Sequence, residues 1–328
     1  MRTLSAQHDS FALNRPFRIA RGTKTAADGV TVTIRDGAYS GRGEGVPYAR
    51  YGESIAGALA QIDAARGAVE RGASRSELLV LMPAGAARNA VDCALWDLEA
   101  RIAGSSVSAL LGQPPLIPMA CALTVVIDTP AAMAQAAREF AGAPLLKVKV
   151  NAHDPEAQVR AVRAAAPHAA LIVDPNESWS RTLLTALDPL MAELKVALIE
   201  QPVSADDDDW LVAFTPGVPI CADEAVHTVG DLERIAARYQ VVNVKLDKAG
   251  GLTAGIELAA AARGRGLGLM AGCMVGSSLA MAPALQIARR AAFVDLDGPI
   301  FLAADRAGGL SYAEGMIAPP AHLLWGEP

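Results

Sequence analysis

Leu145-Leu146-Lys147-Val148-Lys149-Val150-Asn151 reads as a buried β-strand that carries two lysines. Side chains two apart along a strand share a face, so Lys147 and Lys149 point the same way out of an otherwise apolar run. Two adjacent ammonium groups repel each other and lose hydration on burial. Such a pair needs anionic partners or a function, because perturbed charges gather at sites. The plainer reading is an edge strand with both lysines in solvent.

The chain downstream weakens the plainer reading. Short apolar strands alternate with Ala-rich helices from about Ile117. The strand ends fall at Thr124, Lys149, Asp174, Glu200, Asp223, Lys245, Gly272-Cys273 and Asp295, about 22 to 28 residues apart. That step is the length of a strand, a helix and two loops. Eight such steps predict a (β/α) barrel, in which polar residues at C-terminal strand ends read as catalytic.

Upstream, residues to about Thr33 alternate apolar and polar and predict antiparallel strands. Between them Phe17 to Lys24 is basic and Gly-containing, and reads as a mobile loop. Gly41 to Tyr48 is rich in turn residues and opens a loop carrying Tyr48, Arg50 and Tyr51. Helices are predicted from about Ser54 to Arg71 and again after Pro83, where Val91, Leu95 and Leu98 share a face. Gly112-Gln113-Pro114-Pro115 marks a boundary. The expected division is an α+β domain over 1–114, a barrel over 115–308, and a tail over 309–328 that packs back on the first domain. Asp206 to Asp209 reads as a solvated helix start.

Composition narrows the function. Of 328 residues, 52% are hydrophobic, enough for a large core, and the formal charge of −6 argues against nucleic acid. The N-terminus has no apolar signal region, and no apolar run is long enough to span a bilayer, so a cytoplasmic protein is expected. Cys93, Cys121, Cys221 and Cys273 are far apart and read as reduced core thiols. The five histidines are scattered too.

Asp174, Glu200 and Asp223 each end a predicted strand. Three carboxylates converging on one rim need a cation, and an all-oxygen site suits Mg²⁺. Lys149 ends the second strand and Lys245 the sixth, on opposite sides of the mouth. A substrate between them would have one ammonium on each face, which suits removal of a proton from one face of a carbon and delivery to the other. A carboxylate held at a Mg²⁺ ion has an acidified α-carbon. A lysine base needs its pKa lowered by roughly three units from about 10.4, or about 4 kcal/mol. Neighbouring lysines and the metal are expected to push that way.

Lys147-Val148-Lys149, Asp174-Pro175-Asn176, Glu200-Gln201-Pro202, Ala222-Asp223-Glu224 and Lys245 to Gly251 together resemble the enolase superfamily, muconate-lactonizing subgroup. Asp295-Leu296-Asp297-Gly298-Pro299 resembles the D-x-D feature of its dipeptide epimerases. Pro47 to Ser54, Leu81 to Asn89 and Gly272-Cys273-Met274 are similar to bacterial enzymes that epimerise L-Ala-D/L-Glu. The resemblance implies a (β/α)7β modified TIM barrel with an α+β capping domain. It implies that Lys149 and Lys245 are the acid/base pair, and that Asp174, Glu200 and Asp223 hold Mg²⁺. Lys147 would hold the substrate carboxylate, Asp295 and Asp297 its α-ammonium, and Thr124 and Ser277 would line the pocket. Lys24 stands where those enzymes carry Arg, and would meet the side-chain carboxylate.

The expected function is therefore epimerisation of the C-terminal residue of a dipeptide, L-Ala-L-Glu to L-Ala-D-Glu, by two-lysine 1,1-proton transfer through a Mg-stabilised enolate. That places the enzyme in murein peptide metabolism, acting on a small molecule, with a homo-oligomer left open. The rivals are another dipeptide specificity, o-succinylbenzoate synthesis or muconate cycloisomerisation, a Schiff-base aldolase, and a non-catalytic peptide-binding protein.

Overall fold

The computed structural model describes residues 1–320 and 324–327. Alternating polarity in the N-terminal third produces an antiparallel sheet of β1 (Thr3–Ile19), β2 (Gly22–Asp36) and β3 (Tyr39–Gly45). The stretch from Phe17 to Lys24 is not a loop. It is the end of the β1–β2 hairpin, with Phe17 paired to Lys24 and Ile19 to Gly22, so only Ala20-Arg21 turn. Phe17 packs edge-on against Phe301 of the barrel at 4.8 Å, which gives the hairpin end an apolar support.

Helices α1 (Ile55–Glu70), α2 (Arg75–Leu81) and α3 (Ala86–Ile102) cover one face of this sheet. Val30, Val32 and Ile34 meet Ile62, Leu78, Val91 and Leu95 in a core separate from that of the barrel. Each such side chain contributes roughly 1.5–3 kcal/mol on burial, so the cap has its own cohesion. Gly41, Gly43 and Gly45, expected in a turn, are strand residues of β3. A Cβ on Gly43 would lie 2.2 Å from Ala90 O, so the missing side chains let α3 rest on the strand backbone.

After α4 (Val107–Leu110) and the short β4 (Met119–Ala120), eight parallel strands follow. They are β5 (Leu123–Val125), β6 (Leu145–Lys149), β7 (Ala170–Asp174), β8 (Val196–Glu200), β9 (Ile220–Ala222), β10 (Val241–Val244), β11 (Gly268–Gly272) and β12 (Phe293–Asp295). They hydrogen-bond in chain order, and Ala122 N donates to Val294 O at 2.7 Å, bringing the first and last strands together. Helices α5 (Pro130–Glu139), α6 (Pro155–Ala165), α7 (Arg181–Glu193), α8 (Leu232–Ala236), α9 (Leu246–Ala249), α10 (Leu252–Gly264) and α11 (Ser278–Ala288) alternate with them. Between β8 and β9 stands a 3₁₀ turn, Asp209–Ala213, in place of a long helix.

Asp206 to Asp209 is only partly the solvated start expected. Asp208 is buried; it pairs with Arg234 and Arg238 and accepts from Tyr239 OH at 2.8 Å. Beyond the barrel, β13 (Ser311–Ala313) pairs with β14 (Met316–Ala318), and β14 pairs with β4. Trp325 Nε1 then donates to Cys93 O at 2.9 Å, and Gly326 N to Asp97 Oδ1 at 2.8 Å, so the tail reaches α3.

The barrel's interior plug explains where polar residues emerge. Ala122, Leu145, Ile172, Leu198, Cys221, Val241 and Met270 form one buried cluster. Two residues further along each strand, on the same face, come Thr124, Lys147, Asp174, Glu200, Asp223, Asn243 and Gly272. The apolar layer therefore seals the floor, and the chemistry-bearing layer sits directly above it at the C-terminal rim.

Candidate active site

A cavity of about 520 Å³ opens at that rim and is roofed by the β1–β2 hairpin and the Tyr48–Tyr51 segment. Its lining includes Lys24, Thr124, Lys147, Lys149, Asp223, Lys245, Asp295 and Asp297. The volume suits a small substrate. Ser277, expected in the wall, is not part of this lining. It is fully buried, donates its hydroxyl to Glu44 Oε2, and caps α11 by accepting from Leu279 N at 3.3 Å.

β6 and β10 are separated by three strands in either direction round the barrel. Lys149 and Lys245 thus face each other across the mouth. Lys149 Nζ lies 2.5 Å from Asp174 Oδ2 and Lys245 Nζ 2.6 Å from Asp223 Oδ2. Lys147 is deeper and central: its Nζ is 2.7 Å from Glu200 Oε2, 2.7 Å from Asp295 Oδ2 and 3.1 Å from Asp174 Oδ2. Burial pushes the Lys147 ammonium toward neutrality, but Asp295, Glu200 and Asp174 outweigh it and hold its pKa well above the usual lysine value. Burial likewise opposes charge on Lys245, and Asp223 overcomes it and raises the pKa. Lys147 does push the Lys245 pKa down, as expected of a neighbouring lysine, but the Asp223 carboxylate outweighs it.

The acids divide. Burial pushes Glu200 up, Asp174 adds repulsion, and its carboxyl reaches about 8. Burial acts on Asp174 too, yet Lys149 and Lys147 draw it down to about 2. Asp223 is depressed well below the usual range, with Lys245 and Lys248 overcoming its burial. Among the described residues the three carboxylates are not gathered into a ligating cluster; Asp174 pairs with Lys149, and Asp223 with Lys245 and Lys248. Their chemistry still fits a divalent cation. All three are buried, they end or follow the adjacent strands β7, β8 and β9, and Glu200 Oε2, an ion-pair partner of Lys147, accepts no hydrogen bond.

Asp295 and Asp297 stand beside Thr124, whose N–H donates to Asp297 Oδ2 at 2.7 Å. Burial and then the Asp295 charge push Asp297 up to about 7. This corner of the cavity carries more negative charge than it can hold alone.

At the roof, cations are mostly paired. Arg21 lies 2.5 Å from Glu224 Oε1 and 3.0 Å from Glu177 Oε2, and Arg50 lies 3.0 Å from Glu177 Oε2. Lys24 differs. Its Nζ sits over the Tyr48 ring at 5.1 Å, and among the described residues it has no carboxylate within ion-pair distance. Burial lowers its pKa, with Asp28 opposing.

Sequence reasoning did not assign Asn243, Gln201 or Lys248. Asn243 Nδ2 donates to Glu200 Oε1 at 2.9 Å, and its position two residues before Lys245 on one strand face could have pointed to it. Gln201 Oε1 accepts from Asp223 N at 2.8 Å and Ala225 N at 3.1 Å. Lys248 Nζ lies 2.6 Å from Asp223 Oδ1. Asn176, Glu177 and Gln201 have φ of 48°, 67° and 34°, a conformation costing non-glycine residues about 1–3 kcal/mol and common at functional rims.

Residues 1–112 match the mandelate racemase / muconate lactonizing enzyme N-terminal domain, and residues 130–321 match the enolase C-terminal domain-like family. This chain belongs to the mandelate racemase and muconate-lactonizing family of the enolase superfamily. It is 46% identical to the L-Ala-D/L-Glu epimerase of Escherichia coli, over 97% of this chain and 99% of that one. It is 47% identical to an N-acetyl-D-glutamate racemase of a Pseudoalteromonas species, over 90% and 95%. An enolase-family structure from Agrobacterium tumefaciens, with homology to dipeptide epimerases and with bound sodium, L-Ala-L-Glu and an ordered loop, superposes with a TM-score of 0.97. It shares 49% identity, covering 99% of this chain and 100% of that one. A dipeptide epimerase from Methylococcus capsulatus, complexed with Mg and L-Arg-D-Lys, gives a TM-score of 0.89 at 32% identity, covering 98% of each.

Proposed function

We propose that this protein is a dipeptide epimerase that interconverts L-Ala-L-Glu and L-Ala-D-Glu by two-base proton transfer at the α-carbon of the Glu residue. The observation that carries this is Lys149 and Lys245 facing each other across one cavity, on opposite barrel strands. One lysine, as the neutral amine, takes the α-proton. The electron pair left behind spreads into the adjoining carboxylate, and the opposite ammonium delivers a proton to the other face. Lys147 binds that carboxylate from below, and Asn243 orients Glu200. Asp174, Glu200 and Asp223 would hold Mg²⁺, which supplies positive charge next to the substrate carboxylate and so acidifies the α-carbon.

The ends of the substrate are met by complementary charge. Asp295 and Asp297 receive the α-ammonium of the first residue, which offsets the burial and the Asp295 repulsion that together push Asp297 up to about 7. Lys24, which among the described residues has no carboxylate within ion-pair distance, receives the side-chain carboxylate. The place proposed for the reaction is cytoplasmic murein peptide metabolism, consistent with four free cysteines.

A second reading, racemisation of N-acetyl-glutamate, is favoured by the Pseudoalteromonas relative. It keeps the lysines and Lys24 but offers Asp295 and Asp297 a neutral acyl group, leaving that corner overcharged. Comparing kcat/KM for L-Ala-L-Glu and N-acetyl-L-glutamate separates the two. The dipeptide is expected to win by at least about a hundredfold, the loss that follows when buried polar groups are left unpaired. Equal or faster turnover of N-acetyl-L-glutamate would overturn the dipeptide reading.

A further inference from the structure

The two lysines are supported differently. The segment after Lys149 is tied to barrel residues: Asn151 N donates to Gln158 Oε1 at 3.2 Å, and Trp179 Nε1 to Asn151 O at 3.3 Å. The segment after Lys245 meets the barrel through Lys248 and Asp223, and it is also tied to the cap. From α3, Arg88 donates to Ala249 O at 2.7 Å and to Gly250 O at 2.9 Å. Asn89 Nδ2 donates to Asp247 Oδ1 at 2.8 Å, and Asp92 accepts from Thr253 N at 2.9 Å and Thr253 Oγ1 at 2.6 Å. Arg88, Asn89 and Asp92 are buried.

The approach is close enough to dictate sequence. Gly250 and Gly251 have φ of +82° and +118°, and a Cβ on either would lie 2.5 Å from the Arg88 guanidinium or the Asp92 carboxylate. Only glycine satisfies both the backbone angle and the contact.

We propose that α3 of the cap is a positioning element for Lys245 and not for Lys149, so that the cap sets the geometry of one of the two bases. Arg88, Asn89 and Asp92 act through the turn that follows Lys245 and touch no substrate. The proposal rests on the two-base reading above. A base displaced by about 1 Å can lose about a hundredfold in rate, so weakening the support should slow proton removal from the epimer that Lys245 serves. The other epimer should still exchange through Lys149.

The experiment follows α-proton exchange in D₂O from L-Ala-L-Glu and L-Ala-D-Glu separately, in wild type, Lys245→Ala, Asn89→Ala and Arg88→Lys. Both support variants should slow exchange of the same epimer that Lys245→Ala silences, at least tenfold more than the other. Thermal melts identify which variant remains folded, and either folded variant suffices. Equal slowing of both epimers, or no slowing in either variant, overturns the proposal while leaving two-base epimerisation intact. Wild type that exchanges neither epimer removes the epimerase reading itself.

Discussion

Lys147 Nζ stands 2.7 Å from Glu200 Oε2 at the centre of the barrel mouth. This ammonium has three buried carboxylates around it, Asp174, Glu200 and Asp295, and shares Asp174 with Lys149. Burying one charge without its partner costs about 3–5 kcal/mol, so these groups exist in balance.

From this balance, a divalent cation should be needed for activity and should need Glu200. Exhaustive chelation should abolish epimerisation and added Mg²⁺ restore it. Glu200→Gln should weaken metal binding, read by calorimetry, and reduce kcat at least about a thousandfold. Full activity in chelator would sink the metal assignment.

Replacing one lysine should break symmetry and not simply lower the rate. Lys149→Ala and Lys245→Ala should each abolish inversion, and each should retain exchange of the α-proton from one epimer, a different one in each variant. Retained inversion in both variants would contradict two-base chemistry.

Asp297→Asn should act on the dipeptide through its ammonium. An ionic hydrogen bond contributes about 1.5–3 kcal/mol, so kcat/KM for L-Ala-L-Glu should fall about ten- to a hundredfold. N-acetyl-L-glutamate, which has no ammonium, should lose far less. A common loss for both would mean that Asp297 only shapes the pocket.

Lys24→Ala should lower kcat/KM for L-Ala-L-Glu by about ten- to a hundredfold and leave L-Ala-L-Met nearly unchanged. Lys24→Arg should sharpen the preference for Glu, because a guanidinium grips a carboxylate with two parallel hydrogen bonds. If Glu and Met dipeptides suffer alike in Lys24→Ala, the residue serves the roof and not specificity.

Asp247 gives a pH signature outside the reaction. Burial pushes its carboxyl up to about 7, against the pull of hydrogen bonds from Val46 N and Asn89. In the unfolded chain it ionises near 3.9. Between those values the folded state binds more protons, so stability falls as pH rises. Asp247→Asn removes this slope. From pH 5 to 8 its unfolding free energy should gain about 2–3 kcal/mol relative to wild type. Parallel curves would show that Asp247 ionises normally.

The barrel and its rim were legible because both follow a two-residue period. Ile172 then Asp174, and Leu198 then Glu200, announce an apolar floor below a charged layer. The hairpin end was misread because basic residues and Gly22 look like a loop, whereas Phe17 has a partner, Phe301, more than 280 residues away. Gly41, Gly43 and Gly45 were misread for the same kind of reason, since the helix that requires them comes some 45 residues later. Ser277 was placed by resemblance alone, and its hydroxyl is committed to Glu44 of the cap. Asp208 lies in a run that looks solvated, and only the fold brings Arg238 and Tyr239 to it.

Proton exchange at the Glu α-carbon by two lysines on opposite faces leaves an isotopic record. The most direct measurement is incubation of L-Ala-L-Glu with the enzyme and Mg²⁺ in D₂O, followed by ¹H NMR and mass spectrometry. L-Ala-D-Glu should carry one deuterium at the Glu α-carbon and none at the Ala α-carbon. Dipeptide recovered with neither inversion nor deuterium at the Glu α-carbon would contradict it.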